Sequence, residues 1–437
     1  MTSPSATPDR LTPPAVNEIG PLAPPSAEIS VLSNGLTLHV VKGGTASLTS
    51  MSLLLPGGIA ESPQPRLFML ASRLLPEGSK PHPGEELAEV LEDHGAAIGT
   101  RISNHHNELT IACLSSNFDA VCPLLLEAAT LPEYSTEAID KVKRSMISSL
   151  EISMHEVAFQ ASRRLKEMVY PAGSPYIPSP DLTTLSGFSS SQIRDAHSSW
   201  MEPSHMHLFL AGRLTDRMVM DACSLFSKLP VTETPCEFNH VDFDHGRSAM
   251  LDFTPMPEAV QNAVAMAIPT IGRQHPDYVP LRAAVIALGG YFGSRLSLNI
   301  REEKGLTYGI SAQLIGYPEV GYISIESETD PTNVVSLIEE VKEELDRMKD
   351  PSTFSSDEIT RLRLHMLSDL ARQTDSPFGR SIFLVSTVTA GIPDDYFASL
   401  EYTARHITPQ LISSAAEKYF RLDRMFISVA GAPVQGL

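Results

Sequence analysis

The chain has 437 residues, 42% of them hydrophobic and 19% charged, and carries a formal net charge of −19. That length exceeds what one core usually accommodates, so two or more domains are expected, and the composition excludes wholesale disorder. The acidic balance excludes a phosphate-backbone partner, which needs clustered Lys and Arg, so no nucleic acid is expected.

The chain opens on "MTSPSATPDRLTPPAVNEIGPLAPPSAE". No basic stretch leads into an apolar one there, so residues 1–29 are predicted to be an extended segment packed on the body and not a signal peptide. No window reaches about 18 uninterrupted apolar residues, so no membrane span is predicted and the cytoplasm is the expected location. "LTLHVV" and "SLTSMSLLLPGG" read as strands joined by a turn at "KGG". "GEELAEVLEDHG" reads as a helix stopped by glycine. "NELTIACL" is a strand and "FDAVCPLLLEAATL" a helix. The cysteines, Cys113, Cys122, Cys223 and Cys236, form no CxxC and fit neither a zinc knuckle nor a dense disulfide framework, which points to a reducing compartment.

Two halves of the chain echo each other. "WMEPSHMHLFLAG" ends at Gly212 and "YFRLDRMFISVAG" at Gly431, an offset of 219. "TEAIDKVKRSMISSL" from Thr136 and "SDEITRLRLHMLSDL" from Ser356 are amphipathic helices offset by 220. "MSLLLPGG" from Met51 and "AVAMAIPT" from Ala263 are both strands ending at proline. Matched order and spacing imply a tandem duplication, with domains at 30–230 and 248–437 joined by a Pro-, Thr- and Asp-rich linker at 231–247; the alternative for that stretch is a surface loop on one domain. Hairpin strands mixed with long helices give an α+β class, each domain a mainly antiparallel sheet with helices on one face.

"LGGYFGSRLSLNIREEKGLTYG", Leu288 to Gly309, resembles the C-terminal domain signature of the M16 metallopeptidases, the pitrilysin-like or inverzincin family. "LSNGLTLHVV" resembles the family's opening strand and "PEGSK" the end of its first helix. The resemblance runs from about Leu32 onward and implies a clam of duplicated α+β units around a chamber that takes unfolded peptides. One half of such a clam supplies zinc through His-x-x-Glu-His plus a distal Glu, and the other supplies an Arg and a Tyr near the scissile bond. Here the five motif positions become Met69, Leu70, Ala71, Ser72 and Arg73, and the distal Glu falls near Leu150 beside Glu151. Neither His is present and Ser72 stands at the general base. Met is a poor zinc ligand and Arg cannot be one, so no cofactor is expected in this chain.

"SNHHNELTI" offers His105, His106 and Glu108 as an alternative metal site. Read as a strand, it puts His106 and Glu108 on one face and His105 on the other, which favours a polar edge. Arg301 and Tyr308 match the family's Arg/Tyr pair and imply oxyanion or peptide contacts, while Gly289 and Gly290 read as close-packing positions. The resemblance thus implies the zinc-less subunit of a heterodimeric peptidase, with zinc on the partner and unfolded peptides as substrates. Alternatives are a scaffold that kept the fold, or a peptide-binding holdase that pairs as a homodimer.

Overall fold

The computed structural model describes residues 18–177, 181–230 and 249–437; the whole of the expected linker, most of the N-terminal segment and Cys236 lie outside them. In the first half, β1 (Glu28–Val31), β2 (Thr37–Lys42) and β3 (Leu48–Leu55) precede α1 (Pro65–Leu74) and α2 (Glu86–Asp93). Then come β4 (Ala97–Ile102), β5 (Asn107–Leu114), α3 (Phe118–Thr130), α4 (Thr136–Met154), α5 (Val157–Val169), α6 (Leu182–Gly187), α7 (Ser190–Ser198), β6 (His207–Gly212) and α8 (Asp216–Phe226). The second half runs β7 (Met250–Pro255), β8 (Asn262–Ile271), α9 (Tyr278–Gly289), a π-helical turn at Ser297–Glu303, β9 (Thr307–Gly316) and β10 (Val320–Thr329). It closes with α10 (Val334–Arg347), α11 (Ser356–Thr374), α12 (Pro377–Val388), α13 (Tyr396–Arg405), α14 (Pro409–Tyr419) and β11 (Phe426–Gly431).

The first sheet has the order β1-β2-β6-β3-β5-β4 and the second β7-β11-β8-β10-β9. Apart from the added edge strand β1, the two are the same sheet. In each, the first pair is parallel (β2 with β6, β7 with β11) and the remaining pairs are antiparallel. Gly212 and Gly431 end the equivalent strands β6 and β11 with positive φ, 118° and 150°. The duplication inferred from the matched offsets is therefore a duplication of strand order and of strand direction.

Each half covers one face of its sheet with its own helices, and the opposite face receives a helix from the other half. Strand β8 shows how the sequence allows this. Val264, Met266 and Ile268 point into the core beneath α9, whereas the alternate residues Ala263, Ala265 and Ala267 form a second cluster with Ala161, Leu165 and Tyr170 of the first half. Alanine leaves room for α5 to approach the sheet. An ion pair from Arg164 on α5 to Asp252 on β7 ties the same contact. Reciprocally, Val385 of α12 packs with Leu54 and Phe209 on the outer face of the first sheet. The N-terminal segment crosses over too: Arg405 Nη1 donates to the Ile19 carbonyl at 2.9 Å, and Leu22 N donates to Glu401 Oε1 at 2.9 Å.

A histidine pair sits under the first sheet. His39 stacks on Phe209 with ring centroids 4.2 Å apart, and its Nε2 lies 3.0 Å from His207 Nδ1. Burial first, and the neighbouring His207 second, bring its pKa from 6.5 down to about 4. Between those two values the unfolded chain holds a proton that the native state lacks, so stability falls as pH drops through that window. His39→Gln removes the titration and keeps a donor toward His207. The expected result is a shallower loss of stability between pH 6.5 and about 4, by up to about 1.4 kcal/mol per pH unit, read from denaturant unfolding across that range.

Candidate functional site

The Arg/Tyr pair is presented by two departures from regular backbone. Helix α9 ends at Gly289, and a Cβ there would lie 2.5 Å from Ala312 N on β9, so close packing does demand glycine. The chain then turns through Phe292 into the π-helix, where Lys304 N donates to the Asn299 carbonyl five residues back at 3.0 Å. Arg295, just before this turn, is buried: its Nε donates to Glu358 Oε1 at 2.7 Å and its guanidinium lies 3.8 Å from the Phe354 ring centre. Arg295 thus anchors the turn. Arg301, on the turn itself, makes no ion pair among the described residues and rests over the exposed Phe292 ring at 4.9 Å.

Tyr308 is turned outward by a β-bulge. Ile310 pairs with Ser327 and Thr307 with Thr329, so Tyr308 and Gly309 together face the single residue Glu328. Hydroxyl groups hold the bulge in shape. Thr307 Oγ1 donates to the Glu328 carbonyl at 2.6 Å and accepts from Gly309 N at 3.1 Å, while Ser327 Oγ lies 2.9 Å from the Gly309 carbonyl. As a result Tyr308 is 94% exposed. Arg301 and Tyr308 line one cavity of 680 Å³, together with Phe292, Glu326 and His365.

The positions expected from the resemblance to stand at a degenerate zinc site lie in the other half. Met69 and Arg73 on α1 and Leu150 on α4 line a cavity of 630 Å³. Glu151 is exposed and does not line it. Ser72 takes a different direction: it is fully buried, and its hydroxyl donates to Asn107 Oδ1 at 2.7 Å. The two cavities share no lining residue.

His105 and His106 differ from the expected strand. Strand β5 starts at Asn107, and Ser103 holds the preceding turn, its Oγ accepting from His106 N at 3.1 Å and lying 2.8 Å from His106 Nδ1. His105 bridges Glu61 Oε1 (3.0 Å from Nδ1) and the Tyr176 hydroxyl (2.8 Å from Nε2), with its ring against Tyr317 of the second half. It serves a junction between halves, and Glu61 and Tyr176 had no sequence signal to mark them. Glu108 pairs instead with Arg101 at 3.6 Å. Among the described residues no three His, Cys, Asp or Glu side chains converge as a metal site. No described helix is long and apolar enough to cross a membrane.

The family model described as "Peptidase M16 inactive domain" matches residues 187–365. This chain has an M16-like fold. It is similar to the "Probable inactive metalloprotease YmfF" of Bacillus subtilis, 20% identical over 91% of this chain and 97% of that protein. It is also 24% identical to the rat "Cytochrome b-c1 complex subunit 1, mitochondrial", over 91% of this chain and 84% of that one. The crystal structure of a "peptidase M16 inactive domain" from Pseudomonas fluorescens superposes with a TM-score of 0.83 at 19% identity, covering 93% of this chain and 98% of that one.

The M16 fold implies zinc in the cavity beside α1, and the donors there do not fit it. A thioether, a guanidinium and an aliphatic chain replace imidazoles and carboxylate, and Arg66 adds a second fixed cation to the wall. Burial and the bond to Asn107 make Ser72 expensive to change. Met69→His, Ser72→Glu and Arg73→His together restore the motif's residue types, but Ser72→Glu would push a carboxylate against Asn107 in the core. The expected outcome is a loss of roughly 3 kcal/mol or more, carried by Ser72→Glu alone, with Met69→His and Arg73→His nearly neutral. Urea unfolding of the three single variants checks this.

Proposed function

We propose that this M16-type protein is a non-catalytic subunit that lends Arg301 and Tyr308 to a peptide held by a zinc-bearing partner of the same fold. The observation that carries the reading is the pair itself: a guanidinium without a carboxylate partner among the described residues and a nearly fully exposed phenol, on one cavity wall, each raised there by an irregular backbone feature. Such features cost stability and are retained where a side chain must be aimed. Arg301 supplies a forked, permanent cation and Tyr308 a hydroxyl donor, which together suit the oxyanion of a peptide bond under attack or the carbonyl before it. The substrate class is an unfolded peptide, and the metal belongs to the partner.

A scaffold role is the second reading, favoured by the rat relative whose name makes it a subunit of the cytochrome b-c1 complex. A scaffold has no use for an exposed pair without partners, and for that reason it ranks second. A homodimeric peptide holdase would use the same pair without cleavage.

The test is co-purification with a zinc-bearing M16 chain from the same cell, followed by cleavage of an unstructured peptide by the mixed complex. Tyr308→Phe removes one donor and is expected to slow turnover by about 10²–10³ without lowering the melting temperature. Arg301→Lys keeps the charge, loses the fork and should slow turnover as well. Variants that assemble and cleave like wild type would move the scaffold reading to first position. Weakened peptide affinity with no cleavage in any mixture would support the holdase.

A further inference from the structure

We infer that the cavity between α1, α4 and α5 binds a small carboxylate ligand with an apolar body. Three helices contribute one stripe each. Arg66, Met69 and Arg73 stand at i, i+3 and i+7 on α1, so the two guanidiniums leave the same face about 10 Å apart along the axis. Met146 and Leu150 do the same on α4, and Phe159 and Lys166, again seven residues apart, on α5. The cavity volume, 630 Å³, lies within the roughly 300–1,000 Å³ of pockets that hold small molecules.

The charge of this hollow runs against that of the protein. The chain has 52 acidic residues to 33 basic ones, yet the described lining holds Arg66, Arg73 and Lys166 and no Asp or Glu. None of the three side chains makes an ion pair or hydrogen bond among the described residues. Asp181 attracts Arg66, and Glu326 attracts Lys166, only at longer range. Arg66 Nε is buried with no hydrogen-bond partner. Burial also lowers the Lys166 pKa, which means its ammonium has lost water without gaining an anion. Partly desolvated cations without partners are costly, so an anion entering the cavity would relieve Arg66 and Lys166, with the exposed Arg73 as a third cation. An inorganic anion would leave Met69, Met146, Leu150 and Phe159 wet, whereas an apolar chain ending in a carboxylate satisfies both kinds of wall. Two sources offer that chemistry: a free fatty acid, or the C-terminus of an apolar peptide.

The proposal is independent of Arg301 and Tyr308 and needs no partner chain, so its failure would leave the reading above untouched. The test is calorimetric titration of the full-length chain with octanoate against 1-octanol, and with acetyl-Leu-Leu-Val-Leu bearing a free or an amidated C-terminus. At least one carboxylate should bind, with its neutral counterpart at least about tenfold weaker. Tighter octanoate binding identifies the lipid source and tighter peptide binding the peptide terminus. Arg66→Gln and Arg73→Gln should each weaken binding about tenfold while the melting temperature holds. Arg73 is exposed, so Arg73→Gln provides a folded variant even if Arg66→Gln destabilises the helix. The proposal is overturned by equal affinity for charged and neutral forms, by no carboxylate binding up to about 1 mM, or by unchanged affinity in folded Arg73→Gln.

Discussion

The alanine face of β8 is the contact on which the rest of the molecule depends. A strand in the middle of a sheet is buried on both sides, and here the two sides differ in volume: Val264, Met266 and Ile268 fill the core of the second half, and Ala263, Ala265 and Ala267 leave a shallow bed for a helix. The helix that fills it, α5, comes from the first half, and α12 returns the favour on the first sheet at Leu54 and Phe209. Each sheet therefore completes its burial only when the other half is present. The exchange fixes the halves relative to each other. It also brings the α5 residues Phe159 and Lys166 to the wall of a cavity whose other walls are α1 and α4.

Aiming the Arg/Tyr pair requires backbone that regular elements cannot provide. A straight β9 would alternate strictly, and Tyr308 would have a cross-strand partner of its own. The extra residue at Gly309 breaks that alternation, and the hydroxyls of Thr307 and Ser327 satisfy the backbone groups that the bulge releases. The wide turn at Ser297–Glu303 does the corresponding work for Arg301. Two arginines six residues apart in one motif thus have opposite fates. Arg295 is clamped by Glu358 and stacked on Phe354, while Arg301 lies over an exposed ring and makes no ion pair among the described residues.

The two halves have the same sheet and opposite surfaces. Where the second half holds an open shelf with an unpaired Arg and a Tyr, the first half has an apolar hollow rimmed by cations. On helix α1, Met69 and Arg73 face the cavity, and Ser72 turns inward to Asn107. The cavity would repel a dication, since two guanidiniums and an ammonium line the same space. The duplication kept the architecture because strand order and core volume are shared constraints. Cavity walls are under no such constraint and diverged.

Much of this was legible in the sequence. Alternation in "NELTIACL", helical spacing at Thr136 and Ser356, and the repeated Ala-Gly strand ends fixed the elements and the duplication, because those patterns record which face of each element is buried. Leu288 to Gly309 carried the resemblance that marked Arg301 and Tyr308, and the absence of His at positions 69 and 73 was plain from residue identity. The strand assigned across His105 and His106 was wrong because Ser103 side-chain bonds compete with the ladder, a local geometry that hydropathy does not encode. Only the tertiary structure decided that α5 crosses to the other half's sheet and that Arg66, Arg73 and Lys166 face one hollow without a carboxylate. Spacing along one helix determines which residues share a face. What that face meets depends on which residues about a hundred positions apart, such as Arg66 and Lys166, come to line one cavity, and no local pattern contains that.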